Sequence, residues 1–130
     1  MFVTDTHPIA YYAGQQHSRL SKRSLRLFED VQGGKVLIYV PTPVLWEISR
    51  LVNAGTIELP SRFDYWCREL ESKPGFIIES LTWSDVNEAR HLPFRDPMDC
   101  LIAGTAMRLG MPLITKDRTI VDSGLVETIW

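Results

Sequence analysis

Apolar and polar positions along this chain switch between two periods, and the switches mark its elements. Phe2-Val3-Thr4-Asp5 is a short apolar run ending in an acid, which predicts a buried strand. Thr6-His7-Pro8 predicts a turn, and Ile9 to Tyr12 a helical turn before Gly14. From Ser18 to Gln32 the period is helical. Leu20, Leu27, Phe28 and Val31 fall on one stripe, Arg19, Lys22, Arg23 and Arg26 on another, and Gly33-Gly34 ends the helix.

Val36 to Val40 is a continuous apolar run, as expected of a strand covered on both faces. Thr42 is a good N-cap and Pro43 a good first helical residue. The helix that follows carries Val44, Ile48, Leu51 and Val52 on one face, with Glu47 at its border, and Gly55 closes it. Pro60 or Ser61 opens another helix reaching Ser72, stopped by Pro74-Gly75. Phe76-Ile77-Ile78 begins a third strand, and Thr82 or Ser84 starts a short helix to Arg90. A helix from Pro97 to Leu109 follows, with Gly110 as its C-cap, then a strand from Leu113 to Thr115 and an edge strand from Val126 to Ile129. Strands alternating with helices predict one α/β domain over residues 1–130. Its central sheet is mainly parallel, with about five strands, right-handed crossovers and helices on both faces.

That topology collects acids. Ligands of an open parallel sheet bind at the carboxyl ends of its strands. Asp5 ends the first strand, and Asp117 ends or follows the strand at Leu113. A helix leading into a parallel strand starts at the same edge, which brings in Asp96 and Asp99, and Glu47 lies early in the helix after the second strand. Clustered carboxylates repel unless a cation sits among them. Mg²⁺ suits such a set, and two ions can activate water and stabilise a leaving oxygen in phosphodiester cleavage.

Each acid also has a plainer role. Asp96 and Asp99 suit the N-cap and third position of a capping box. Asp117 suits the N-cap of a turn from Arg118 to Val121, Asp5 a turn acid, and Glu47 a solvated helix face. Thr115, two residues before Asp117, is equally a β-branched strand residue or a hydroxyl orienting a carboxylate or water. The basic stripe is either a solvated face or a set of phosphate contacts. Trp46, Trp66 and Trp83 read as core or semi-core, and His7, His17 and His91 lack partners for general-base work.

Composition narrows the class. The apolar fraction of 45% is that of an ordinary globular domain, and a net charge of -2 argues against blanket nucleic-acid binding. Two cysteines, Cys67 and Cys100, make neither a disulfide framework nor a zinc site, and Cys67 shares a helical face with Phe63, Trp66 and Leu70. No signal peptide is legible, and Val36 to Trp46 is too short and proline-broken to span a membrane. A reduced, cytoplasmic protein is expected.

The pieces Val3-Thr4-Asp5-Thr6-His7, Pro43-Val44-Leu45-Trp46-Glu47-Ile48, Arg95-Asp96-Pro97-Met98-Asp99 and Leu113-Ile114-Thr115-Lys116-Asp117 stand in one order. With Leu92-Pro93, Leu101-Ile102-Ala103 and Ala106, this chain resembles the PIN-domain proteins, specifically the VapC-like ribonuclease toxins of type II toxin–antitoxin pairs. The resemblance implies an endoribonuclease dependent on Mg²⁺ or Mn²⁺, with one or two ions per site. It maps the family's four acids to Asp5, Glu47, Asp99 and Asp117, an additional acid to Asp96, and the hydroxyl before the last acid to Thr115, with Thr6 in support. Cys100 departs from the arginine usual in similar members. The resemblance further implies a homodimer and a cognate antitoxin that supplies any DNA binding. Two other classes compete: a catalytically silent PIN-like module that only binds RNA or protein, and a receiver-like phosphoacceptor. The latter normally has a second acid beside the first, where this chain has Thr6 and His7. A structure-specific DNA nuclease is a further option, though such enzymes carry helical insertions that this chain lacks.

Overall fold

Val3 and Thr4 have no exposed surface, so the first strand can only be central. The computed structural model describes residues 1–130 and bears this out. Strand β1 (Phe2–Thr4) pairs on one side with β2 (Ile38–Pro41) and on the other with β4 (Leu113–Ile114). Outside them lie β3 (Phe76–Glu79) and β5 (Thr128–Ile129), giving the order β3-β2-β1-β4-β5. Every pairing is parallel, so the sheet is wholly rather than mainly parallel. Crossovers toward β3 and the return to β4 run in opposite directions across the sheet. The right-handed rule therefore puts their helices on opposite faces.

Several element boundaries differ from the sequence expectation, each for a local reason. Thr6-His7-Pro8 is not a turn but the first turn of α1 (Thr6–Ala13). The Asp5 side chain caps that helix by accepting from the Thr6 N–H, and Pro8 sits where no amide donor is needed. The expected helix from Ser18 splits into a 3₁₀ turn (His17–Arg19) and α2 (Lys22–Gln32). Ser21 breaks it, because its hydroxyl takes the Ser24 N–H as an N-cap while Leu20 stays extended and buried.

Helix α3 (Thr42–Asn53) begins one residue earlier than expected, with Pro41 at its cap position. Thr42 is not the cap; its hydroxyl accepts from the Leu81 N–H instead. Helix α4 starts at Phe63 and runs to Ser72, beyond the predicted Pro60 or Ser61. Helix α5 (Trp83–Ala89) is capped by Thr82 in a reciprocal box with Asp85. Helix α6 (Pro97–Leu109) ends as predicted at Gly110, in the left-handed conformation at φ 64°. Helix α7 (Arg118–Ser123) follows β4. Trp66 is core, but Trp46 and Trp83 are not: they stand 56% and 80% exposed. Trp46 lies on the outer side of α3 with the Arg50 guanidinium over its ring, and Trp83 opens α5 before its buried residues begin.

Helix α6 carries two of the acids, and α5 holds it in place. A Cβ on Gly104 would come 2.8 Å from the Asp85 carbonyl oxygen and 3.0 Å from the Ala89 nitrogen, so only glycine permits this crossing. One turn on, Arg108 donates to Asp85 at 2.5 Å and to Glu79 at 2.6 Å. Burial alone would raise the carboxyl pKa of Asp85, which has no exposed surface. The hydrogen bonds from Arg108 and Thr82 outweigh that and hold it below its ordinary value.

Candidate active site

Three of the five acids are helix caps. Asp5 caps α1, Asp96 caps α6 by accepting from Met98 N–H at 2.8 Å, and Asp117 caps α7 by accepting from Ile120 N–H at 3.2 Å. Their placement follows from local sequence chemistry, because each acid satisfies amides that a helix start leaves free. The capping role does not compete with the site. Helix starts α1, α6 and α7 all open at the carboxyl edge, and a carboxylate that takes one amide keeps lone pairs for other donors.

Asp99 behaves differently from the expectation of a capping box. The carboxylate accepts no hydrogen bond from the protein, and it is half-buried beside Asp5, Asp96, Asp117 and Glu47. Burial first, and then those four like charges, push its pKa up to about 7. Asp5, 7% exposed, is also raised, chiefly by burial, although Thr115 and Thr6 donate to it. Glu47 is raised by burial and by Asp5 and Asp96, against a hydrogen bond from Thr6.

Two threonines organise these acids. Thr115, fully buried, donates from Oγ1 to Asp5 Oδ2 at 2.7 Å and accepts from the Asp117 N–H at 3.1 Å. One hydroxyl therefore ties the last acid's backbone to the first acid's carboxylate across the β1–β4 pairing. Thr6 donates from Oγ1 to Glu47 Oε1 at 2.5 Å, linking α1 to α3. Thr115 is thus both things the sequence allowed, a buried residue following the strand and a hydroxyl bonded to a carboxylate, and Thr6 bonds to Glu47.

All five acids and Thr115 line one concavity of about 350 Å³. None of them belongs to an ion pair; the chain's ion pairs involve Arg62, Arg108 and Arg118. Nor do three of them close on a common point as a ready-made ligand cluster. They ring an open basin, as five like charges must. The donor set is hard oxygen throughout, which suits Mg²⁺ or Mn²⁺, and an open basin leaves room for the waters and substrate oxygens that Mg²⁺ keeps.

The sequence reading did not assign the four other lining residues, His7, Pro8, Tyr11 and Lys116, to the site. Their adjacency depends on α1 packing beside the end of β4, which no local pattern reports. Of the basic stripe, Arg19 alone is tied to the lining, its guanidinium 4.9 Å from the centre of the Tyr11 ring. Lys22, Arg23 and Arg26 are exposed on α2. Cys100 points away from metal chemistry, its thiol directed at the Phe94 carbonyl at 3.3 Å.

The sequence matches the PIN domain family over residues 2–123. The chain belongs to the PIN domain family. This PIN domain is similar in fold to toxin–antitoxin proteins of known structure. Over 99% of this chain and 98% of theirs it resembles VapBC2 of Rickettsia felis, bound to a promoter DNA fragment, at 13% identity and a TM-score of 0.69. It covers a chain of a toxin–antitoxin complex from Klebsiella pneumoniae at 12% identity and a TM-score of 0.65, with 100% of this chain and 97% of that one aligned. FitAcB of Neisseria gonorrhoeae aligns over the same shares at 15% identity and a TM-score of 0.65. No curated protein sequence matches the chain significantly. The strand order of this PIN domain, β3-β2-β1-β4-β5, also differs from the 2-1-3-4-5 order of a receiver domain. No helix is long and apolar enough to cross a membrane.

Proposed function

We propose that this PIN domain is a metal-dependent endoribonuclease, the toxin of a type II toxin–antitoxin pair held in check by a cognate antitoxin. The observation that carries the reading is the basin itself: five carboxylates from four segments, none in an ion pair with a cation of the chain. Burying charge without compensation is costly, so a basin of this kind is built for cations from outside.

Asp5, Asp99 and Asp117 would hold one Mg²⁺ or Mn²⁺, with Glu47 and Asp96 completing its shell or holding a second. A divalent ion bound there supplies a more acidic water and offsets charge on the phosphate in the transition state. Thr115 orients Asp5 and the backbone of Asp117, and Thr6 orients Glu47. Lys22, Arg23 and Arg26 are available for outer contacts with the RNA backbone. Homodimerisation, and DNA contact made only through the antitoxin, complete the proposal. The resemblance to toxin–antitoxin assemblies supports it.

Cleavage of a pool of structured cellular RNAs tests it, with Mg²⁺ or Mn²⁺ present, against EDTA and against Asp99→Asn. Discrete cuts that vanish in both controls are expected. Folded, metal-loaded, partner-free protein that leaves every RNA intact would move the assignment to a silent binding module.

A further inference from the structure

One cation lines the acidic basin and pairs with none of its acids. Lys116 stands between Thr115 and Asp117, exposed, and no carboxylate lies within ion-pairing distance of its ammonium. Two aromatic rings flank it instead, with Nζ 5.1 Å from the centre of Tyr11 and 5.6 Å from that of Trp130. Tyr11 also carries Arg19, which is in no ion pair and whose one side-chain hydrogen bond is a long one to Gln16 at 3.4 Å. Tyr11 is 6% exposed and fixed in α1, so it is a rigid mount for both cations. Cation–ring contacts hold a charge in place without cancelling it, unlike a salt bridge.

We propose that Lys116 and Arg19, mounted on Tyr11, form a phosphate-binding shelf at one side of the basin that positions the backbone of single-stranded RNA. The inference rests on the ribonuclease reading above. The acids repel a phosphodiester wherever no metal ion intervenes, so the chain flanking the cut needs an attractive wall. Lys116 and Arg19 supply one beside the acids, and their charges stay available because nothing in the chain consumes them. Both are positioning residues: they fix the strand's register and carry no base information.

Fluorescence anisotropy of a short labelled single-stranded RNA of mixed sequence, titrated with protein in Ca²⁺ across a salt series, tests this directly. Each phosphate contact contributes about 0.7 to the slope of log K against log salt on a single strand. Lys116→Gln is expected to flatten the slope by about that amount, and Arg19→Gln by a similar step. Lys116→Arg restores it. Lys35→Gln, an equal charge change beside the amino end of β2, leaves it unaltered. In Mg²⁺ cleavage, Lys116→Gln raises KM with little change in kcat. Lys116→Met retains the stem against the rings, and its thermal melt separates lost contact from lost fold. The shelf is overturned if Lys116→Gln keeps the wild-type slope and KM, if Lys35→Gln flattens the slope equally, or if wild-type protein does not bind the RNA. Protein that binds with a Lys116-dependent slope yet cuts nothing would instead overturn the nuclease reading and leave the shelf standing.

Discussion

Replacing Asp99 by asparagine is expected to stabilise the metal-free protein while abolishing cleavage. Asp99 gains no hydrogen bond from the fold and faces four other carboxylates, so its charge is a pure cost until a cation arrives. A rise from 3.8 to about 7 is roughly three units, a ceiling of ~4 kcal/mol at about 1.36 kcal/mol per unit. The basin is open to solvent and salt, and screening reduces that ceiling to about 1–2 kcal/mol. The sign follows from proton binding. Between pH 3.8 and about 7 the folded chain holds a proton on Asp99 that the unfolded chain releases. Stability therefore falls as pH rises through that window. The cost is absent below it and complete above it. Thermal melts in EDTA should thus coincide for wild type and Asp99→Asn near pH 4. At pH 8 the variant should melt roughly 3–12 °C higher, given about 3–6 °C per kcal/mol for a chain of this size. Added Mg²⁺ should raise the wild-type melting temperature at pH 8 and the variant's by less. A variant that melts below wild type at pH 8 in EDTA, or a gap that does not change with pH, would refute the reasoning.

Three further outcomes are expected. Thr6→Val removes the donor to Glu47, at a cost of about 1 kcal/mol in stability and roughly 10- to 100-fold in metal affinity, read by calorimetry with Mn²⁺. Arg108→Met leaves Asp85 charged and buried without its partner, which should cost about 3–5 kcal/mol in denaturant unfolding; a loss under 1 kcal/mol would mean the network is dispensable. Gly104→Ala forces α5 and α6 apart and should destabilise by about 1–3 kcal/mol, with RNA cleavage reduced through displaced Asp96 and Asp99; unaltered melting would contradict the close crossing.

Much of the fold was legible because its signals are local. Asp96-Pro97 starts α6 and Gly110 ends it, and apolar runs mark β1, β2 and β3. The acids were legible for a related reason: caps and strand ends announce themselves, and parallel topology sends them to one edge. What failed was also local, where a polar side chain chose between two backbone partners. Asp5 prolonged the chain into a helix instead of a turn, and Ser21 broke a helix that periodicity alone would continue. The contribution of Lys116 and Tyr11 was not legible at all. A lysine between two pattern residues has no local signature, and its neighbours come from opposite ends of the chain.

The bond from Thr115 to Asp5 spans 110 positions, and it sits on the pairing of β1 with β4. The entropic cost of closing a loop grows only slowly with its length, but contacts of such long range slow folding. Until β4 docks, Asp117 is absent from the basin and Asp5 lacks its orienting hydroxyl. A chain emerging amino-end first can build β1, β2 and β3 with their helices and still have no complete acidic ring. The two ends of the chain must therefore meet before the acidic basin is complete, so its integrity reports on the pairing of β1 with β4.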